Sequence, residues 1–302
     1  MNKDFIHKII ALRGDAGKKW LGEIPTTIEK YEKEWQITCL TPYPLSYNYV
    51  TPARTQDGKL VVLKISFPDN HEFHLEFEAL KFYEGIGAIK VINEDIKNGI
   101  MLLEMAEPGT RVRDISPDEK QISFVSDVIR KMHRPVPTHI ASTFPTISDW
   151  ANAFNRYKTK FLSTSGPVPQ WMFDKAENIF AEFPKEKKER VLLHGDLHND
   201  NILLSQRGWL AIDPKGVVGE REFEPGACLR NPYYDYPKGS DYKTLEKNRI
   251  IQFSDELGFD RKRIRDWAFA CAVISLLWFL EDEKSIKQIY IRNAELINDI
   301  IV

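Results

Sequence analysis

Two carboxylates and an amide stand close together in one short stretch of the chain, between two apolar runs. In VLLHGDLHNDNILLSQRGWLAIDPKG, Asp196 and Asn201 lie in the polar part, and Asp213 follows the run WLAI. If 202–204 and 209–212 pair as a hairpin, its two ends converge and bring these three side chains together. Carboxylate and amide oxygens suit a hard cation such as Mg²⁺, which bridges phosphate oxygens. The pattern therefore predicts a magnesium and phosphate site.

The first third of the chain predicts an antiparallel sheet covered by one helix. The turn pair Asp57-Gly58 separates SYNYVTPAR from KLVVLKI, and Asn98-Gly99 separates AIKVINEDI from IMLLEM. Both are hairpin signals, because these pairs tolerate the positive φ of a tight turn. A helical pattern over 68–84 lies between the hairpins, and an amphipathic helix over 18–35 precedes them. We expect a small lobe over residues 1–106.

From Pro108-Gly109 onward the sequence becomes mainly helical. Ser116 suits an N-cap, with Pro117 in the first turn and apolar residues following at helical spacing. Further helical patterns occupy 147–162, 170–183, 241–257, 261–281 and 285–300. The predicted fold class is therefore α+β, with a larger, mainly helical lobe over 107–302.

Composition excludes several classes of protein. In 302 residues, 42 Lys and Arg against 44 Asp and Glu leave a net charge of −2, so we expect neither nucleic acid nor an anionic membrane as partner. Three widely spaced cysteines suggest no disulfide framework, which favours a reducing, cytoplasmic location. The apolar run 268–280 is shorter than the ~20 residues that span a bilayer. We interpret it as a buried helix.

The motif HGDxxxxN followed by IDP resembles the catalytic and metal-binding signature of the aminoglycoside phosphotransferase and choline kinase group, relatives of protein kinases. Within that group the chain is most similar to the aminoglycoside/hydroxyurea resistance kinases, typified by streptomycin 6-phosphotransferases. The matching text covers most of the chain in the right order: GKKWLGEIP, DGKLVVLKI, GIGAIKVI, LLEMAEPGT, MHRPVP, HGDLHNDNIL and IDPKGVVGEREFEPG. The resemblance implies a bilobal, protein-kinase-like fold.

The resemblance also implies a role for each central residue. Asp196 would accept or orient the proton of the acceptor hydroxyl, while Asn201 and Asp213 would hold Mg²⁺. Lys64, in VVLK, would bind the α- and β-phosphates of ATP, and Glu76 would fix that lysine. Glu72 and Glu78 lie on the same predicted helix, so the choice of Glu76 rests on the family pattern.

Other nucleotide contacts follow from the same resemblance. Glu104 and Ala106 would present backbone groups to the adenine edge, in the link between the lobes. Lys215 departs from the Asp-Phe-Gly of protein kinases and is a candidate contact of the transferred phosphate. The segment around Ser46 lacks the glycines that cover phosphates in protein kinases, so this serine or a nearby amide would substitute. His194 is expected to hold the loop by hydrogen bonds rather than to act as an acid or base.

An acidic segment follows the predicted metal ligand. Glu220, Glu222 and Glu224, with Asp235 beyond them, could line the acceptor site and attract a cationic aminoglycoside. A solvated acidic loop, paired in part with Arg221, is the alternative.

Three functions stay open at this point. The first is an ATP-dependent phosphotransferase acting on a hydroxyl of an aminoglycoside such as streptomycin, and so conferring resistance. The second keeps the reaction but takes an amino alcohol, sugar or related metabolite, because the fold does not specify the acceptor. The third is a catalytically silent nucleotide-binding module, which intact Asp196, Asn201 and Asp213 disfavour. The sequence leaves ATP against GTP, and monomer against dimer, undecided.

Overall fold

The computed structural model describes residues 1–161, 166–182, 189–230, 241–282 and 286–302. It divides into two compact units, Met1–Gly109 and Thr110–Val302. In the first unit the helices and strands are α1 (Lys3–Trp35), β1 (Ile37–Cys39), β2 (Tyr49–Thr55), β3 (Leu60–Ile65), α2 (His71–Tyr83), β4 (Val91–Asp95) and β5 (Ile100–Glu104). The assignment of functions to the predicted lobes 1–106 and 107–302 stays a prediction.

Five antiparallel strands form the sheet of the first unit, in the order β1-β2-β3-β5-β4. Both predicted hairpins are confirmed, since β2 pairs with β3 and β4 pairs with β5. Gly99, in the second turn, has φ 74°, and a Cβ there would lie 2.5 Å from the carbonyl oxygen of Ser66. This turn therefore requires glycine for both its backbone conformation and its close approach to a neighbouring strand.

Helix α1 covers one face of this sheet. Alternate residues of β3, Val61, Leu63 and Ile65, are buried in a core shared with Trp20 and Ile24 of the helix. Because side chains alternate across a strand, Lys64 must point to the opposite face.

The first helix is longer than the predicted 18–35. It begins at Lys3 because the side chain of Asn2 accepts a hydrogen bond from the N–H of Phe5, and Phe5 and Ile9 are buried. At Gly14 the backbone leaves the helical region, with φ 57°, so the element is two helices joined at a kink. The sequence pattern showed only the second, because its apolar stripe is longer.

The second unit is mainly helical, with two short β-ladders. Its elements are α3 (Asp118–Met132), α4 (Thr138–Ala141), α5 (Ile147–Trp150), α6 (Asn152–Lys160), α7 (Gln170–Glu182), β6 (Val191–Leu193), β7 (Ile202–Ser205), β8 (Gly208–Ala211), β9 (Val217–Gly219), α8 (Pro225–Arg230), α9 (Tyr242–Leu257), α10 (Arg261–Asp282) and α11 (Gln288–Asn298). The mixed α+β fold class is confirmed. Helix α3 begins one residue later than a Ser116 cap would require, because Pro117 occupies the N-cap position.

Helix α10 forms the centre of this unit and packs against α6, α7, α8, α9 and α11. The apolar run 268–280 lies within it and is mostly buried, as predicted. Within the described ranges, no helix is both long enough and apolar enough to cross a membrane.

Two antiparallel ladders position the loops that carry the polar motif. Strands β7 and β8 pair from Ile202 with Ala211 to Ser205 with Gly208, which confirms the predicted hairpin. The sequence pattern does not predict the second ladder, in which β6 pairs with β9. Each of these two strands has three residues, too few for periodicity to reveal. The second ladder fixes the segment after β6 beside the segment that joins β8 to β9.

Candidate active site

A buried ion pair lies on the face of the first unit's sheet opposite α1. The Nζ of Lys64 lies 2.7 Å from both carboxylate oxygens of Glu76, and the two side chains are 5% and 8% exposed. Lys64 is on β3, in the middle of the sheet, and Glu76 is on α2. Glu72 is exposed and Glu78 is half-buried, so Glu76 is the glutamate that the fold brings to the lysine.

His194 joins the two loops of the polar motif in the second unit. Its Nε2 donates to the carbonyl oxygen of Ile212 at 2.8 Å, and its Nδ1 accepts from the N–H of Asp196 at 3.2 Å. The N–H groups of Lys215 and Gly216 donate in turn to its carbonyl oxygen, at 2.8 and 3.2 Å. His194 is fully buried. This residue thus holds the loops together, as predicted, and both ring nitrogens are occupied.

Asp196 lies half-buried among positively charged and titratable groups. Its Oδ1 lies 2.5 Å from Nη2 of Arg230, and its Oδ2 lies 3.9 Å from Nε2 of His198. Burial alone would raise the pKa of Asp196, but Arg230 above all, then His198, His194 and Lys215, outweigh burial and hold that pKa below its ordinary value. Burial lowers the pKa of His198, so its imidazole is neutral at pH 7. Asp196 is therefore an ionised carboxylate at neutral pH.

The ends of the β7–β8 hairpin hold Asn201 and Asp213. The carbonyl oxygen of Asn201 accepts from the N–H of Ile212 at 2.9 Å, which places Asp213 next to the start of the hairpin. The Nδ2 of Asn201 donates to the carbonyl oxygen of Asp196 at 3.0 Å. The fold thus brings together the three residues that the sequence pattern singled out, from the two loops of the polar motif.

The backbone of Asp213 is in the left-handed region, with φ 56°. Among the described residues, only Gln36 and Glu84 are other non-glycine residues with positive φ, and both are helix C-caps. Such a conformation costs a residue of this type about 1 kcal/mol or more, and strain of this kind concentrates at functional sites. Asp213 combines this backbone conformation with an exposed side chain after strand β8, which supports its selection as a candidate site residue.

The donor set fits magnesium. Asn201 and Asp213 supply an amide oxygen and a carboxylate, and Mg²⁺ characteristically takes one or two protein oxygens while keeping water and phosphate ligands. In the part of the chain that the structure describes, no group of three or more His, Cys, Asp or Glu side chains could form a metal site. Asn201 and Asp213 would leave the other coordination positions of the ion to water and phosphate oxygens.

The predicted nucleotide contacts occupy varied positions. Ser46 and Lys215 are exposed, Ala106 is buried and Glu104 is half-buried. The N–H of Glu104 donates to the carbonyl oxygen of Lys90 at 2.8 Å, so this N–H does not serve as an adenine donor. Contact of these four residues with a nucleotide stays a prediction.

The predicted acidic wall is wrong for Glu220 and Glu224. Both side chains are buried, with exposures of 0% and 1%. Glu220 accepts from Nε of Arg263 at 2.5 Å and from the indole N–H of Trp267. A carboxylate that is buried and paired inside the protein presents no charge to a substrate, so neither residue attracts an acceptor.

Of the other two residues of that segment, Glu222 is half-buried, and its predicted role stays a prediction. Asp235 lies outside the described residues.

Glu224 instead braces the start of the polar loop. Its carboxylate accepts from the backbone N–H groups of His194 at 2.7 Å and Gly195 at 2.9 Å, and it lies 3.2 Å from Nε2 of His133. Burial alone would raise the pKa of Glu224, but the hydrogen bond with His133 and the charges and N–H groups around it outweigh burial, so the pKa lies below its ordinary value. The apolar residues around it, EFEPGACL, were the signal that this glutamate is internal.

We expect Glu224→Gln to destabilise the protein by about 2–4 kcal/mol at pH 7, because an amide cannot accept from both N–H groups. Since the folded-state pKa lies below the ordinary 4.5, the carboxylate's contribution is full above that pH and is lost as the pH falls through the folded value. Urea unfolding at pH 7 and pH 4 measures this, with the half-buried neighbour Glu222→Gln as control. Equal losses for the two variants at pH 7 would contradict the bracing role.

Arg230 is the main residue that sequence reasoning missed. It ends the short helix α8, and no motif or spacing in PGACLR marks it. Its contact with Asp196 arises from packing of α8 against α10, where its Nη1 also donates to the hydroxyl of Ser275.

The fold matches solved phosphotransferase structures. Choline kinase LicA from Streptococcus pneumoniae aligns with a TM-score of 0.63 at 14% identity, covering 92% of this chain and 99% of that one. A thermostable mutant of an aminoglycoside phosphotransferase, solved as a ternary complex with ADP and hygromycin B, aligns with a TM-score of 0.60 at 13% identity, covering 90% and 97%. The chain therefore has the protein-kinase-like fold of the aminoglycoside phosphotransferase and choline kinase group.

Comparison of the sequence with known families identifies the family within this group of phosphotransferases. Residues 45–283 match the family model for aminoglycoside/hydroxyurea antibiotic resistance kinases, and the chain belongs to this family. Streptomycin 6-kinase from Streptomyces glaucescens is 24% identical over 273 residues, which are 89% of this chain and 87% of the relative. The chain is thus a phosphotransferase with a hydroxyl group as acceptor. The predicted family, fold and enzyme class are confirmed.

Proposed function

We propose that this chain transfers the γ-phosphate of ATP, with Mg²⁺, to a hydroxyl of an aminoglycoside such as streptomycin, and so confers resistance. The observation that carries the proposal is the loop system in which His194 holds Asp196 beside the Asn201–Asp213 hairpin. The membership of this chain in the resistance-kinase family supports the proposed class of acceptor.

Each residue has one task in the reaction. Asp196, ionised at neutral pH, takes the hydroxyl proton as the acceptor oxygen bonds to the γ-phosphorus and the bond to the β–γ bridging oxygen breaks, releasing ADP. Asn201 and Asp213 would hold Mg²⁺, which supplies charge neutralisation for the phosphates. Lys64, held by Glu76, binds the α- and β-phosphates. Lys215 is proposed to contact the transferred phosphate.

Two further regions of the chain are proposed to contact the nucleotide, one at its adenine and one at its phosphates. The carbonyl of Glu104 and the backbone of Ala106 are proposed to meet the adenine edge. Ser46 is proposed to take the place of the glycine-rich loop over the phosphates. Use of GTP would require the backbone groups of Glu104 and Ala106 to match the hydrogen-bonding edge of guanine.

A second acceptor class follows from the burial of Glu220 and Glu224. Without that acidic wall, the described residues give a smaller electrostatic reason for a polycationic acceptor than the sequence suggested. A neutral acceptor, such as hydroxyurea or a metabolite alcohol, is the second candidate.

The deciding experiment measures ADP release with ATP or GTP and a panel of acceptors: streptomycin, hydroxyurea, choline and a sugar alcohol. We expect the highest kcat/KM with ATP and streptomycin, together with a raised streptomycin tolerance in bacteria that express the chain. Faster turnover of a neutral alcohol would establish the second candidate. Mg-ATP binding without turnover of any acceptor or of water would indicate the silent module.

We expect Glu76→Gln to raise the KM for ATP at least about tenfold, because each 1.4 kcal/mol of lost phosphate contact is a factor of ten. Removing one partner of a buried pair also lowers stability, by about 3–5 kcal/mol. ATP titrations at a temperature where the variant is folded measure the first effect. Glu72→Gln, an exposed change on the same helix, is the control, and an unchanged KM for ATP in both variants would contradict the assignment.

A further inference from the structure

We infer that Arg230 is a positioning residue that fixes the carboxylate of Asp196 so that one named oxygen, Oδ2, receives the acceptor hydroxyl. The inference rests on the proposed function, in which Asp196 takes the hydroxyl proton. It assigns Arg230 and Ser275 to the machinery of the reaction, although neither belongs to the sequence motif.

The two oxygens of Asp196 have different surroundings. Oδ1 lies 2.5 Å from Nη2 of Arg230, a charge-assisted hydrogen bond. Oδ2 lies 3.9 Å from Nε2 of His198, beyond hydrogen-bond distance. Oδ1 thus shares its acceptor capacity with Arg230, whereas both lone pairs of Oδ2 are available to a new donor.

Arg230 is itself held from a second direction. Its Nη1 donates to Oγ of Ser275, and that hydroxyl donates to the carbonyl oxygen of Cys271, one turn earlier in the central helix α10, at 2.7 Å. The Arg230 side chain is 13% exposed. The guanidinium is thus attached to a long helix. Because Ser275 carries no charge, it does not weaken the electrostatic attraction between Arg230 and Asp196.

This anchoring limits rotation of the carboxylate. The terminal torsion of an aspartate, between an sp³ and an sp² carbon, has a broad energy profile. An unrestrained carboxylate therefore rotates, so that its oxygens exchange positions and neither keeps a fixed direction toward the acceptor hydroxyl. The N–H of Asp196 is bonded to His194, which fixes the backbone, and Arg230 fixes the carboxylate. Losses of about 10²-fold follow when a reacting group is misplaced by 1 Å.

The test compares Arg230→Ala, Arg230→Lys and a matched control, Arg156→Ala. Arg156 pairs with Glu281 of the same helix α10 at 2.9 Å, but on an exposed surface. For each variant, kcat, the KM for ATP and the KM for the acceptor are measured with and without millimolar guanidinium. Slow hydrolysis of ATP by water is measured in parallel, since water needs the same base.

We expect kcat of Arg230→Ala to fall about 10²-fold while both KM values stay within about threefold, since positioning acts on the transition state. Added guanidinium should restore part of kcat in Arg230→Ala and in neither Arg230→Lys nor Arg156→Ala. A kcat close to the wild-type value, or a higher acceptor KM with unchanged kcat, would overturn the inference. The second result would make Arg230 an acceptor contact instead.

A thermal double-mutant cycle separates this inference from the proposed function. The melting temperatures of Arg230→Ala, Asp196→Asn and the double variant need no substrate. We expect Arg230→Ala to lower the melting temperature less in the Asp196→Asn background than in the wild type, because its partner charge is already gone. Additive shifts would overturn the inference. If the wild type transfers phosphate to no acceptor of the panel, the proposed function fails, while the cycle still decides whether Arg230 holds Asp196.

Discussion

Asp196→Asn is expected to lower kcat by about 10²- to 10⁴-fold, the usual contribution of a general base. The affinity for Mg-ATP should stay within about twofold, because in the proposed mechanism this carboxylate acts on the acceptor and not on the nucleotide. Asparagine has the same shape but accepts no proton. Initial rates with saturating acceptor, together with calorimetric titration of Mg-ATP, measure the two quantities.

The matched control for this variant is Asp200→Asn in the same loop. Asp200 pairs with Arg113 at 2.6 Å and has no part in the proposed mechanism. A near-wild-type kcat in Asp196→Asn would refute the base assignment. Because the change also removes the partner of Arg230, the folded fraction of both variants is checked by thermal melting before the kinetics are compared.

Asp213→Asn is expected to remove the magnesium dependence of ATP binding. Its carboxylate is the only one proposed to hold the ion, and Asn201 alone would leave Mg²⁺ with no charged protein ligand. Asparagine tolerates the positive φ of 56° found at this position, so the change removes the charge and keeps the backbone. Titration of ATP with and without Mg²⁺ should give about the same affinity for this variant, against at least about a tenfold difference for the wild type.

A second substitution tests the role of the backbone at the same position. Asp213→Ala removes the charge and also strains the left-handed conformation, so it should lose metal-dependent binding and some stability. A full magnesium effect in Asp213→Asn would show that the ion is held elsewhere. Kinetic rescue by Mn²⁺ in either variant would point instead to a weakened but intact site.

The acidic segment shows how a local pattern can mislead. Glu220, Glu222 and Glu224 look like a charged surface when they are read along the chain. In the fold, Glu220 contacts Arg263 and Trp267 of α10, whereas Glu224 contacts the backbone of the loop that follows β6. Those partners are 29 to 47 positions away in sequence, and no spacing rule connects them.

The sequence by itself determined the parts that depend on local chemistry. The turn pairs predicted both hairpins of the first sheet, and HGDxxxxN with IDP predicted the loop residues and their joining by the β7–β8 hairpin. These features are readable because turn geometry and strand alternation act over a few residues. The family pattern also chose Glu76 among three glutamates, and the buried pair with Lys64 agrees with that choice.

Only the tertiary structure decided which charges face inward and which residue holds Asp196. Arg230 reaches Asp196 because α8 packs on α10, and Glu224 is buried because the loop after β6 needs an acceptor for two N–H groups. A charged side chain can be buried only when its interactions with partner groups offset the free energy of removing it from water. Those partners come from distant segments of the chain. That balance exists only once the helices and strands are packed.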